Sequence, residues 1–186
     1  KSSESIFSLG NGAMGQRANF EEHYSGETFQ GSYIGGVYYP DKTRVGWWKN
    51  GYPEDFAKVL NAPNWIGIDV HVNGIRLDLN NCLEIQNFRR ELDMKNGVYH
   101  RSFTVQLEKN CAIEVHSTRF LSMVTGALGV IQYSIKALQD NTTLEFDSYI
   151  EGQITNQDSN WNDPFWEHTN QHASAEGLAL FSHTLK

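Results

Sequence analysis

The chain has 186 residues, 39% of them hydrophobic and 20% charged, with a formal net charge of −7. That length and apolar content fit a single folded domain with its own core and exclude an intrinsically disordered chain. The acidic balance argues against phosphate-driven nucleic-acid binding and against adhesion to an anionic membrane, and no run of about 18 apolar residues offers a transmembrane helix.

The start, Lys1-Ser2-Ser3-Glu4, has neither an initiator Met nor a signal peptide, so a processed chain or a piece of a longer one is expected. A short apolar run, Ile6 to Leu9, reads as a strand and leads into Gly10-Asn11-Gly12-Ala13-Met14-Gly15. Those six residues match G-x-G-x-x-G, which binds dinucleotides only where a helix opens at the third glycine. The following residues, Gln16 to Gly26, are too few and too polar for that helix, and Asn-Gly is a hairpin signal. The glycine-rich segment is therefore expected to be a turn. Phe29 to Tyr39 reads as one strand whose glycines permit bulges or close backbone approach.

Tyr38 to Phe56 differs from the rest of the chain. Six of its residues are aromatic, six are charged and two are proline, so neither helical nor strand periodicity survives. Rings beside Arg and Lys in a proline-stiffened loop suit a surface that meets something, because aromatic faces stack on sugar C–H surfaces while charged groups bind hydroxyls. The same composition marks protein interfaces, so a loop docked on its own domain or on a partner subunit is equally open.

Beyond the loop the pattern becomes regular. Ile66, Ile68, Val70 and Val72 alternate with polar or small residues up to the turn pair Asn73-Gly74, which places Val72 opposite Ile75, Val70 opposite Leu77 and Ile68 opposite Leu79. A second hairpin turning at Asn96-Gly97 would set Met94 opposite Tyr99, Leu92 opposite Arg101, Arg90 opposite Phe103 and Phe88 opposite Val105. Further strands follow around Ile113 and Val115, Ile131 to Ile135, and Leu144 to Ile150, with turns at Lys109-Asn110 and Asp140-Asn141. Regularly spaced strands of this kind predict an all-β antiparallel sandwich. Gln153 to His172 is polar and reads as a second long loop, followed by a strand through Leu178 and Leu180.

Chemistry-bearing groups are sparse. His168 and His172 are spaced to face together on a helix as metal ligands, but they lack a third ligand, and no metal site is assigned. His71, His100 and His116 fall at surface strand positions. The carboxylate pairs Glu21/Glu22 and Glu54/Asp55 are adjacent in sequence, so in extended chain each points its side chains to opposite faces. Glycoside chemistry needs two carboxyl groups roughly 5–10 Å apart across a cleft, which neither pair supplies. Lys49 and Lys58 make solvated ion pairs a sufficient role for Glu54 and Asp55. Cys82 and Cys111 lie in strand-like segments and read as two buried thiols, with a disulfide between them geometrically open, and Asn141-Thr142-Thr143 is a glycosylation sequon by pattern alone. No catalytic residue is nominated.

Several stretches nevertheless resemble a known family. Ser8-Leu9-Gly10-Asn11-Gly12-Ala13-Met14-Gly15, Phe20-Glu21-Glu22, Gln30-Gly31, Gly35-Gly36-Val37 and above all the unbroken run Tyr39 to Pro53 resemble the N-terminal domain of glycoside hydrolase family 65, in its phosphorylase-like branch. The resemblance implies one N-terminal β-sandwich domain over residues 1–186, of the galactose mutarotase-like super-sandwich type and incomplete at both ends. It also implies a helical linker, an (α/α)6 barrel and a small C-terminal β domain elsewhere in the same polypeptide. Inorganic phosphate would be a co-substrate with a disaccharide such as maltose, with no other cofactor, and one Glu of the barrel would be the acid. The protein is expected to be a cytoplasmic homodimer. Arg44, Trp47, Trp48 and Lys49 are the candidate residues for lining the barrel's cleft, without themselves being catalytic. A free-standing carbohydrate-binding module and a purely structural or dimerisation domain are the alternatives.

Overall fold

A computed structural model describes residues 1–43, 53–156 and 164–185. It opens with a one-turn helix, α1 (Ser2–Ile6), so the strand expected over Ile6 to Leu9 begins only at Leu9; Ile6 points to solvent. The helix is followed by β1 (Leu9–Gly10), β2 (Met14–Gln16), β3 (Ser32–Ile34), β4 (Tyr38–Lys42) and β5 (Asp55–Val59). The long strands come next: β6 (Asn64–Val72), β7 (Ile75–Arg76), β8 (Glu84–Asp93), β9 (Val98–Glu108), β10 (Cys111–Leu121) and β11 (Gly129–Ala137). The last are β12 (Leu144–Glu151), β13 (Trp166–Ser174) and β14 (Gly177–Thr184).

Every pairing is antiparallel. The sandwich is made by a four-stranded sheet ordered β11-β10-β9-β8 and a three-stranded sheet ordered β12-β6-β7. Strict alternation along β10 buries Cys111, Ile113, Val115, Ser117, Arg119 and Leu121 and turns the residues between them outward. Val70, Val72, Leu77 and Leu79 of the smaller sheet and its flank pack against Phe103, Val105, Leu107, Ile113 and Val115 of the larger. Each such fully buried aliphatic or aromatic side chain contributes roughly 1.5–3 kcal/mol. The small sheet β1-β2-β3 and the hairpins β4-β5 and β13-β14 surround this core.

The hairpin at Asn73-Gly74 forms as the alternation predicts. Both residues have positive φ, 54° and 79°, as a tight two-residue turn requires. Val72 pairs with Ile75, and the Leu77 N–H donates to the Val70 carbonyl at 2.8 Å. The expected third pair, Ile68 with Leu79, is absent, because the Ile68 N–H donates to the Glu21 carbonyl at 2.9 Å.

The second hairpin differs from expectation by two residues. Asp93 pairs with Val98 and Leu92 with Tyr99 around a four-residue turn. Its closing bond runs from Gly97 N–H to the Asp93 carbonyl at 2.8 Å, while the Asp93 carboxylate accepts from the Lys95 and Asn96 amides. A capping Asp thus sets the turn length, and Gly97 supplies the left-handed residue (φ 67°) further along. Arg90 consequently lies opposite Arg101, and a bulge between Gln86 and Arg89 brings Ile85 opposite Val105.

Phe29 to Tyr39 is not one strand. It breaks at Gly35-Gly36, where Gly36 has φ 82° and a Cβ on Gly35 would come 3.0 Å from the Gly12 carbonyl oxygen. The expected loop from Gln153 to His172 is shorter, because β13 begins at Trp166.

Ile113→Ala is expected to cost about 2–5 kcal/mol, whereas Thr118→Ala on the outer face of the same strand stays within about 0.5 kcal/mol. Urea-unfolding midpoints of the two variants check this contrast.

Candidate functional site

The candidates Arg44, Trp47, Trp48 and Lys49 lie outside the described residues. The structure does describe the hairpin that flanks them in sequence, here called the stalk. On the hairpin β4-β5, Tyr39 pairs with Lys58 and Lys42 with Asp55. Above these pairs the Thr43 amide donates to the Glu54 carbonyl at 2.8 Å, and the Thr43 hydroxyl to the Pro53 carbonyl at 2.8 Å. The Lys58 ammonium sits 2.6 Å from the Asp41 carboxylate and 4.8 Å from the centre of the Phe165 ring. Tyr39 packs on the same ring, with centroids 4.8 Å apart. Both members of the ion pair are largely buried, so water screens it little.

A polar ladder ties this stalk to the body. The Asn61 amide donates to Asn156 Oδ1 and the Ser32 amide to Asn61 Oδ1, both at 2.9 Å. Asn156 Nδ2 returns a bond to the Val59 carbonyl, and the Trp166 indole donates to the Asn61 carbonyl, each at 2.8 Å.

The carboxylate pair Glu21/Glu22 behaves differently from expectation. The chain there belongs to no strand, so strand alternation does not apply, and both carboxylates turn to one guanidinium. Arg101 donates to Glu21 at 2.6 Å and to both oxygens of Glu22 at 2.5 and 2.6 Å. Arg119 donates to Glu21 at 2.5 Å and to the carbonyls of Arg17 and Asn19, while Ser117 adds a bond to Glu21 at 2.8 Å. The Tyr133 hydroxyl completes Glu22 at 3.1 Å. Arg101 also lies between two rings, 4.6 Å from the centre of Phe20 and 5.1 Å from that of Phe103.

Burial alone would push the Glu21 carboxyl upward, but Arg119, Arg101 and the Ser117 hydroxyl together hold it at about 2. Burial and the neighbouring Glu22 raise the Tyr133 phenol well above its ordinary value. The Glu21 carboxylate, held ionised, dry and fully bonded, accepts no proton near neutrality, and both Glu22 oxygens are taken up by Arg101 and Tyr133, so this cluster is architecture. Its two arginines sit at inward-pointing positions of the strand alternation: Arg101 shares the phase of Tyr99 and Phe103, and Arg119 that of Val115 and Leu121.

The remaining sequence candidates are dispersed. His168 and His172 lie on strand β13 and not on a helix, and His168 is taken up by the Ser182 hydroxyl and the Gly152 carbonyl at 2.8 Å each. No group of three or more His, Cys, Asp or Glu among the described residues is arranged to hold a metal ion. Cys82 and Cys111 are free thiols; Cys82 sits in a bend outside the strands, Cys111 in β10. No helix among the described residues is long and apolar enough to cross a membrane.

The sequence profile of glycosyl hydrolase family 65, N-terminal domain, matches residues 1–186. The chain belongs to glycosyl hydrolase family 65. Among curated relatives, a maltose phosphorylase of Bacillus subtilis (strain 168) is 44% identical over 184 residues, covering 98% of this chain and 24% of that protein. A kojibiose phosphorylase of Thermoanaerobacter brockii is 30% identical over 153 residues, covering 82% and 18%. An alpha,alpha-trehalose phosphorylase of the same organism is 32% identical over 166 residues, covering 82% and 20%. The solved structure of a putative kojibiose phosphorylase from human microbiome superposes with a TM-score of 0.84 at 29% identity, covering 98% of this chain and 24% of that one. This family 65 domain therefore spans a quarter or less of the length of these relatives.

Removing Arg101 strands two buried carboxylates. Arg101→Met is expected to cost about 3–5 kcal/mol, measured by denaturant unfolding. Glu21 binds a proton less readily folded (about 2) than at its ordinary 4.5, so its stabilisation is complete above pH 4.5 and lost as pH falls toward 2. A shift of that size corresponds to about 3 kcal/mol. Thermal melts between pH 5 and pH 2 are expected to show this loss, and a much flatter profile for Glu21→Gln.

Proposed function

We propose that the chain is the non-catalytic N-terminal domain of an inverting disaccharide phosphorylase whose substrate is maltose. The observation that carries the reading is the identity gradient: 44% to a maltose phosphorylase against 30% and 32% to kojibiose and trehalose phosphorylases. The ionic cluster supports it, since it occupies Glu21 and Glu22, the paired carboxylates of the family-like Phe20-Glu21-Glu22 stretch, in holding the fold together.

In this reaction one phosphate oxygen attacks C1 of the non-reducing glucose from the face opposite the glycosidic oxygen. The C1–O4 bond breaks as the new C1–O–P bond forms, and one glutamic acid passes its proton to O4. The products are β-glucose 1-phosphate and glucose. Phosphate arrives as an anion and needs no activation, so one protein carboxyl group suffices where an inverting hydrolase needs two. That acid belongs to the (α/α)6 barrel of the same polypeptide, and the whole protein works as a cytoplasmic homodimer with inorganic phosphate as co-substrate.

The role assigned to the present chain is to carry Arg44, Trp47, Trp48 and Lys49 on the stalk β4-β5 to the mouth of the cleft. There they hold the acceptor glucose and exclude the water that would divert the reaction to hydrolysis.

Two measurements on the full-length protein test this. Incubation with phosphate and maltose, trehalose or kojibiose is expected to release β-glucose 1-phosphate from maltose alone; release from kojibiose instead refutes the substrate. Trp47→Ala with Trp48→Ala is expected to raise KM for maltose or lower the phosphorolysis-to-hydrolysis ratio by about tenfold. Unchanged kinetics and an unchanged ratio would remove the loop from the site while leaving the domain assignment intact.

A further inference from the structure

One cavity involves neither the stalk nor the ionic cluster. It has a volume of about 400 Å³ and lies between β12 and the hairpin β13-β14. The walls meet at one end, where His168 Nε2 bonds the Gly152 carbonyl and a Cβ on Gly152 would come 2.8 Å from Leu180. Among the described residues β12 pairs only with β6, and β14 only with β13, so each strand keeps one edge of backbone N–H and C=O groups unpaired.

Ile150 and Leu180 give the cavity apolar surface, while Ser148, Gln171 and His172 give it polar groups; the Tyr149 ring lies instead over Gly67 of β6. None of those three polar side chains makes a hydrogen bond among the described residues, although polar side chains elsewhere in the domain form dense networks. The lining holds no Asp, Glu, Lys or Arg. A phosphate, a carboxylate or a metal cation would find no countercharge there. Neutral donors and acceptors over aliphatic surface, in a cavity of ligand size, match instead a neutral polyhydroxylated molecule with apolar C–H faces.

We infer that the cleft between β12 and β13-β14 is a sugar-binding site, separate from any catalytic centre, which takes a neutral glucoside of one or two rings. Hydroxyls bond to Ser148, Gln171 and His172, and ring C–H faces lie on Ile150 and Leu180. Such a site holds substrate near the enzyme without taking part in bond cleavage.

Calorimetric titration of the full-length protein with maltose, in the absence of phosphate, tests it. Two sugars per chain are expected. Gln171→Ala with His172→Ala is expected to weaken one of them by about tenfold or more and leave kcat/KM for phosphorolysis within about twofold. Leu178→Trp, which fills the cavity from an exposed position, should give the same loss and decides the matter if the double variant folds poorly. One sugar per chain in the parent, or equal binding in parent and variants, overturns the site while leaving the phosphorolysis reading untouched. Amides of residues 171–180 already protected from hydrogen exchange without sugar would show the cleft filled by polypeptide, and overturn it as well.

Discussion

Two guanidiniums and two carboxylates are buried together at one end of the sandwich, with no exposed side-chain surface beyond 1% on any of them. Desolvating any one alone would cost several kcal/mol, so the four are tolerable only as a set whose charges cancel and whose acceptors are filled. Arg101 and Arg119 rise from adjacent strands of the larger sheet, and both reach the irregular segment Arg17 to Glu22. That segment has no β-partner of its own, so Arg119 takes over its Arg17 and Asn19 carbonyls. The aliphatic core thus stops where the ionic cluster begins, and the cluster does there what sheet pairing does elsewhere.

Charge balance also explains the rings around it. Phe20 lies between two cations, with Arg101 4.6 Å and Arg90 4.9 Å from its centre. Arg90 and Arg101 are directly opposite across the strand pair, an arrangement that like charges disfavour. Arg101 is neutralised by its carboxylates, while Arg90 is spread over the faces of Phe20 and Phe88. The two-residue change of register in this hairpin therefore matters beyond geometry: it brings these arginines together, and the aromatic faces make the pairing tolerable.

Faces were legible in the sequence where registers were not. Inward residues of β6, β9 and β10 follow from alternation alone, because a half-buried strand must place every second side chain in the core. The turn at Asn96-Gly97 looked like a two-residue hairpin since the pattern weighs Asn-Gly but not the Asp three residues earlier. An error of two residues keeps every side chain on its face, so the core survived the misreading although the cross-strand partners did not. Glu21 and Glu22 failed for a different reason. The rule that neighbours point apart holds for extended chain, and nothing local announces that this stretch is held by distant arginines instead. Likewise the i, i+4 spacing of His168 and His172 carries meaning only on a helix, and β13 removes it.

The stalk shows what the sequence could convey about a site and what it could not. Aromatic and charged residues between Pro40 and Pro53 mark a segment not made for packing in a core, which composition alone reveals. How its ends are fixed depends on contacts with residues far along the chain: Asn156 and Trp166 with Asn61 and Val59, and Phe165 under Lys58 and Tyr39. Thr43 bonds to Pro53 and Glu54, so the segment between them starts from closely spaced ends. Closing a short segment costs a few kcal/mol in entropy at most, and the bonds at its base meet part of that cost. The buried Asp41–Lys58 pair belongs in that account, because a largely dry ion pair at the base resists the twisting that a solvated one would allow.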